Sequence, residues 1–143
     1  MAITTNAICN SFKKELLEAT HNFSSGGNTF KLAMYTSSAT LGKSTTSFTT
    51  GNEVSSSGYS SGGKALVNTG TSVASNTAIT DFSDLSFTGV TLTARGALIY
   101  NDTATGDPAV AVLDFGGDKT ATAGTFTIQF PAFTTSAAIL RIA

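Results

Sequence analysis

Between residues 91 and 130 the chain carries three runs rich in β-branched and aromatic side chains. They read Thr91-Leu92-Thr93-Ala94-Arg95-Gly96-Ala97-Leu98-Ile99-Tyr100, Ala109-Val110-Ala111-Val112-Leu113-Asp114-Phe115 and Gly124-Thr125-Phe126-Thr127-Ile128-Gln129-Phe130. Two segments rich in Gly, Asp and Thr separate them. Period-two patterning with such residues is the signature of strands, so the stretch is expected to form a three-stranded β-meander that supplies the core sheet. Leu92, Ala94, Gly96, Leu98 and Tyr100 would share one face, and Arg95, Ala97 and Ile99 the other. A glycine inside a strand, Gly96, points to a bulge or a close neighbour. Phe126, Ile128 and Phe130 form an apolar face opposite Thr125, Thr127 and Gln129, and Pro131 ends that strand.

The rest of the chain supports this core. Residues 7–22 read as the one helix: Ile8, Phe12, Leu16, Ala19 and Phe23 recur at spacings of three and four. Asn6 or Asn10 could cap it, Lys14 and Glu18 sit at i, i+4, and residues 24–28 stop it. Its apolar stripe serves either the sheet or a neighbouring subunit. Residues 29–35 alternate as a strand, with Phe30, Leu32 and Met34 on one face. Residues 85–87 read as a short strand and residues 138–142 as the last. Sheet-on-sheet packing covered by one helix follows: a mainly antiparallel β fold, sandwich or barrel-like.

Residues 36–80 differ in kind, because Ser and Thr fill 21 of the 45 positions. Leu41, Phe48, Val54, Tyr59, Leu66, Val67 and Val73 are the sparse apolar anchors. Ordering such a segment costs roughly 1–2 kcal/mol per residue in backbone entropy. It is therefore either a long loop pinned by those anchors or an extended arm ordered by a partner. The length favours the arm, or two short strands around residues 64–68 and 71–73. The expected organisation is one domain, residues 1–143: an N-terminal segment and helix over 1–28, the loop or arm over 36–80, and the core meander over 81–143.

Composition restricts function. Charged residues are 12%, against roughly 25% in an average domain, and the net charge is −1. Nothing in this neutralises a phosphate backbone, so nucleic acid is not an expected partner. The single cysteine, Cys9, permits no internal disulfide. No apolar run reaches the ~18 residues of a membrane helix, and no basic segment leads into an apolar one at the N-terminus. Production without Sec export and no membrane partner are the expectations.

Chemistry-bearing residues are few. His21 is the lone histidine and reads as an exposed polar residue near the helix end, without the companions a zinc site or Cys-His pair requires. Asp102, Asp107, Asp114 and Asp118 lie in or beside the meander loops. They lack the spacing and terminal Glu of an EF-hand, so turn formation is expected rather than calcium binding. Arg95 and Asp114 could pair across strands. Gly116-Gly117-Asp118-Lys119-Thr120 lacks the order of a phosphate loop and no helix follows it. No catalytic residue, metal or cofactor is assigned, and no enzyme is expected.

One wider pattern remains. Phe12-Lys13-Lys14-Glu15-Leu16-Leu17, Phe30-Lys31-Leu32-Ala33-Met34-Tyr35-Thr36, Asn52-Glu53-Val54 and Gly58-Tyr59-Ser60-Ser61-Gly62-Gly63 lead to a last block. That block runs from Ala94-Arg95-Gly96-Ala97-Leu98-Ile99-Tyr100-Asn101 to Ala109-Val110-Ala111-Val112-Leu113-Asp114-Phe115-Gly116-Gly117-Asp118-Lys119. Over nearly its whole length the chain resembles small virion structural proteins of tailed bacteriophages, of the type found in phages of cyanobacteria and marine bacteria. The resemblance is sharpest over residues 94–119. It implies a non-enzymatic coat component made in the host cytoplasm: a capsid decoration (cement) protein on the outside of the head. Such a protein would be a homotrimer that bridges major capsid subunits, with contacts expected from residues 36–80 and the N-terminal segment. The alternative it implies is a tail, baseplate or tail-fibre protein. For that role, exposed Tyr59 and Tyr100 would contact host glycans.

Overall fold

A computed structural model describes residues 3–143. Its elements in chain order are β1 (Ala7–Ile8), α1 (Asn10–Leu17), β2 (Phe30–Tyr35), β3 (Lys64–Ala65), β4 (Asn68–Ala74), β5 (Thr77–Phe82), β6 (Leu85–Asn101), β7 (Ala109–Ile128) and β8 (Leu140–Ile142). They form two open antiparallel sheets, five-stranded β1-β7-β6-β2-β3 and three-stranded β4-β5-β8. The fold is mainly antiparallel β, sandwich-like rather than a closed barrel, with one short helix.

The expected three-stranded meander is instead one long hairpin. β6 spans 17 residues and β7 spans 20, so the second and third sequence runs belong to the same strand. The Gly-rich segment between them does not turn back. The register passes from Gly96↔Asp114 to Ala94↔Lys119, so residues 115–118 bulge opposite Arg95 and the ladder then resumes. Two interactions stitch the bulge. The Arg95 guanidinium donates to Asp114 Oδ1, and the same oxygen accepts the Gly116 N–H at 2.8 Å. Gly116 takes φ +79, which suits a residue without Cβ. The cross-strand pair expected at Arg95 and Asp114 is therefore present. It holds the Asp114 carboxyl below its ordinary range, with the guanidinium hydrogen bond the main cause.

Gly96 combines both features expected of it. A register shift lies beside it, and a Cβ there would sit 2.5 Å from the Leu113 carbonyl and 2.7 Å from Ile3 Cδ1. Phe126 and Ile128 are buried while Thr125, Thr127 and Gln129 are exposed, as the alternation requires. β2 departs from simple alternation. Ala33 and Tyr35 are buried as well as Phe30, Leu32 and Met34, because both faces of this strand are covered.

The helix is shorter than its apolar spacing suggests. Ala7 and Ile8 pair with Val112 and Ala111 of β7, and the Cys9 N–H donates to Val110 O at 3.0 Å. Three residues that would have opened a helix are thus used on the sheet. The N-cap is Cys9, without a side-chain cap, rather than Asn6 or Asn10. Past Glu18 the chain enters a left-handed conformation at Ala19, φ +59, and leaves the helix axis. Phe12 and Phe23 are buried and Leu16 half-buried, but Ala19 is exposed, so the stripe fails where the helix stops. The Lys14–Glu18 pair is made at 2.7 Å on the surface.

Cys9 packs in the core with none of its surface exposed. Burial, reinforced by the Glu15 charge, pushes its thiol from 9.0 up to about 11. The unfolded chain therefore releases this proton first as pH rises, and stability falls between those two values. The stability of the natural chain relative to Cys9→Ala, followed by urea unfolding, is expected to decline from pH 9 to 11 and to stay flat below pH 8. A flat difference throughout would contradict this account of the site.

Candidate interaction surface

The Ser/Thr-rich segment resolves into two parts. Residues 64–74 carry β3 and β4, in the places where short strands were one expectation. Residues 36–63 form an irregular loop lying on the body, with Ala39, Leu41, Val54 and Tyr59 in the core. It is the pinned loop rather than an arm.

All three tyrosines of the chain hold it there. Tyr35 Oη donates to Thr49 O at 2.6 Å, and Tyr100 Oη donates to Gly62 O at 2.6 Å. Tyr59 Oη accepts the Met34 N–H at 2.8 Å and donates to Glu53 Oε2 at 2.7 Å. The Glu53 carboxylate then accepts Ser61 Oγ–H and the Gly62 N–H. Phe48 stacks on Tyr100 with ring centroids 4.6 Å apart. Burial is the main cause that raises all three phenol pKa values above the ordinary range. The expectation that Tyr59 and Tyr100 reach host glycans from exposed loops is therefore corrected: both are buried, with their hydroxyls committed to the loop.

His21 is likewise corrected from an exposed residue to a buried joint, its side chain wholly inaccessible. Asn101, also fully buried, accepts the Thr103 and Ala104 N–H groups on Oδ1, which fixes the orientation of its amide. Its Nδ2 then donates to His21 Nδ1 at 3.0 Å and to Asn28 Oδ1 at 2.9 Å. The imidazole proton must lie on Nε2, donating to Glu15 Oε1 at 3.0 Å. Phe12 and Phe23 flank the ring. This joint ties the segment after α1 to the β6–β7 turn. The sequence signal that could have found it is a lone histidine between two aromatics of the core stripe.

The four aspartates do not converge. Asp102 pairs with Lys31 at 3.4 Å, the Asp107 carbonyl accepts the Phe48 N–H, and Asp114 serves the bulge. Asp118 lies within the bulge itself. Among the described residues no group of three His, Cys, Asp or Glu side chains could hold a metal. Residues 116–120 lie inside β7 and begin no helix.

Two surface features stand out instead. The first is a groove of about 620 Å³ between α1 and the small sheet, lined by Phe12, Leu16, Phe23, Ile79, Leu140 and Ile142 among others, with Lys13 and Arg141 at its polar positions. Ile142 is also largely exposed, the same sheet exposes Val73 beyond the groove, and Leu17 projects from the helix. Exposed apolar clusters rimmed by polar residues mark contact surfaces. The second is an open groove of about 600 Å³ beside β7, lined by Phe115, Phe126 and Phe130 together with Asn6, Asp114, Lys119 and Gln129. Behind both, Phe23 stacks on Phe30 at 4.2 Å, and Phe82 bridges to Phe130, joining the two sheets. Comparison with protein-family models, curated proteins and solved structures returns no match.

Proposed function

We propose that this chain is a coat component of a tailed phage: a decoration protein that binds the outside of the assembled head and bridges neighbouring major capsid subunits. The sequence resemblance suggests this class. The structural observation that best supports it is where the polar chemistry lies. His21, Glu53 and the three tyrosines are committed to internal hydrogen bonds. The outside offers a Ser/Thr-rich surface of low charge density, with the apolar groove and exposed side chains described above. Such a surface suits contact with other protein. A subunit that binds only the assembled shell stabilises it by mass action.

The loop over residues 36–63 carries part of the core, so deleting it would unfold the body rather than remove a contact. Surface substitutions such as Leu17→Glu or Ile142→Glu are the appropriate probes. Purified protein added to heads lacking it is expected to raise the temperature at which the heads disrupt, and these variants to raise it less. Heads that bind none of the protein would refute the reading.

The groove along β7 favours one alternative, a tail or baseplate protein that binds host surface glycan. Aromatic faces flanked by amide and ammonium groups suit a sugar ring. Saturation-transfer NMR with host polysaccharide, compared with the Phe115→Ala variant, distinguishes this reading from the first.

A further inference from the structure

We propose that a second copy of this chain adds to the free edge of β4, related by a two-fold axis at Val73, so that two three-stranded sheets become one of six. This inference stands apart from the coat reading, because it concerns the isolated protein.

Among the described residues β4 is paired on one side only, by β5. The phase of that pairing decides what its other side presents. Ala74 and Thr77 flank the two-residue turn Ser75-Asn76, in which Ser75 takes φ +54. The pair closing such a turn is hydrogen-bonded, and bonded and non-bonded pairs alternate along an antiparallel ladder. Ser72↔Ile79 is then bonded, whereas Val73↔Ala78 and Thr71↔Thr80 are not. The N–H and C=O groups of Val73 and Thr71 therefore point away from β5, toward the open edge.

Edges are normally blunted by charge, proline, shortness or a bulge. The edges of the larger sheet, β1 and β3, are two residues each, and β3 carries Lys64. On the small sheet the opposite edge, β8, is three residues centred on Arg141. β4 reads Asn-Thr-Gly-Thr-Ser-Val-Ala, with no charge and no proline. Its one protective device is the irregularity between Asn68 and Thr71, which leaves residues 71–74 free to pair.

These features favour a copy of the same strand as occupant. A charged edge set against itself brings like charges together, and this one does not. With the axis at Val73, each Val73 N–H meets the C=O of Val73 in the second copy. The register also places Val73, Ala78 and Ile142 side by side on one face of the small sheet. Val73 is 69% exposed and Ile142 61%. The two-fold joins two such rows into one continuous apolar row across six strands. An isologous contact of this kind closes at two copies. It departs from the trimer implied by the sequence resemblance. About this axis three residues per strand pair, Ser72 to Ala74, with Thr71 opposite the turn residue Ser75. The interface is small, so the association is concentration-dependent.

Sedimentation equilibrium of the full chain over a wide concentration range tests this. The expected result is a monomer–dimer equilibrium. Val73→Lys sets two charges against each other at the axis. Val73→Pro removes an N–H that β5 does not use. Both are expected to return the apparent mass to that of the monomer, with the circular dichroism spectrum unchanged. Arg141→Glu, on the other edge, is expected to leave the dimer intact. A monomer at every concentration, a trimer, or a dimer that survives both Val73 substitutions would overturn the proposal.

Discussion

Gly63→Ala is expected to destabilise this protein by roughly 3–5 kcal/mol, placing it among the most damaging single substitutions available. Gly63 takes φ +77, and a Cβ there would lie 1.8 Å from Leu32 O, 2.6 Å from Leu32 C and 2.8 Å from Ala33 Cα. All three are backbone atoms of β2, which is held between β6 and β3 and cannot give way. The close approach lets the end of the loop reach the sheet, where the Leu66 N–H donates to Phe30 O at 2.8 Å. Gly62→Ala is the control. Gly62 has φ +92, but its nearest neighbour would be Tyr100 Oη at 3.4 Å, so only the left-handed conformation is penalised, by roughly 1–2 kcal/mol. Urea unfolding of the two variants separates contact from conformation. Equal losses would mean that the loop does not press on β2 as described.

Asn101→Ala is expected to cost about 3 kcal/mol. It removes the donor to His21 Nδ1 and to Asn28 Oδ1, and the acceptor for two N–H groups of the β6–β7 turn. His21 then keeps an unpaired nitrogen in a site closed to water. His21→Ala should cost a similar amount, and the double variant should cost well under the sum, because both substitutions dissolve one joint. Additive losses in that cycle would contradict the shared network.

Features carried by near neighbours in sequence were legible before the fold. The β2 strand, the Gly96 irregularity, the Arg95–Asp114 pair and the Phe126–Ile128 face all follow from local spacing or from one cross-strand partner. The misreadings share a cause, since each depended on a partner far along the chain. Ala7 and Ile8 fit a helical stripe, but β7 recruits them. Residues 116–120 look like a turn, yet β6 is long enough to keep its partner past the bulge. Tyr59, Tyr100 and His21 carry polar tips that suggest exposure. Their hydrogen-bond partners lie 25, 38 and 80 residues away for Met34, Gly62 and Asn101 respectively, and no periodicity reveals such pairs. Asp81 is buried with Oδ2 unpartnered, and desolvation raises its carboxyl above the ordinary range; no local pattern marks it.

The central functional claim concerns location on a particle, so it is tested most directly by quantifying this chain in virions separated into heads and tails. The account predicts that it stays with the heads, in a fixed small-integer ratio to the major capsid subunit, and is accessible to antibody from outside. Recovery with the tails, in a few copies per particle, would contradict it.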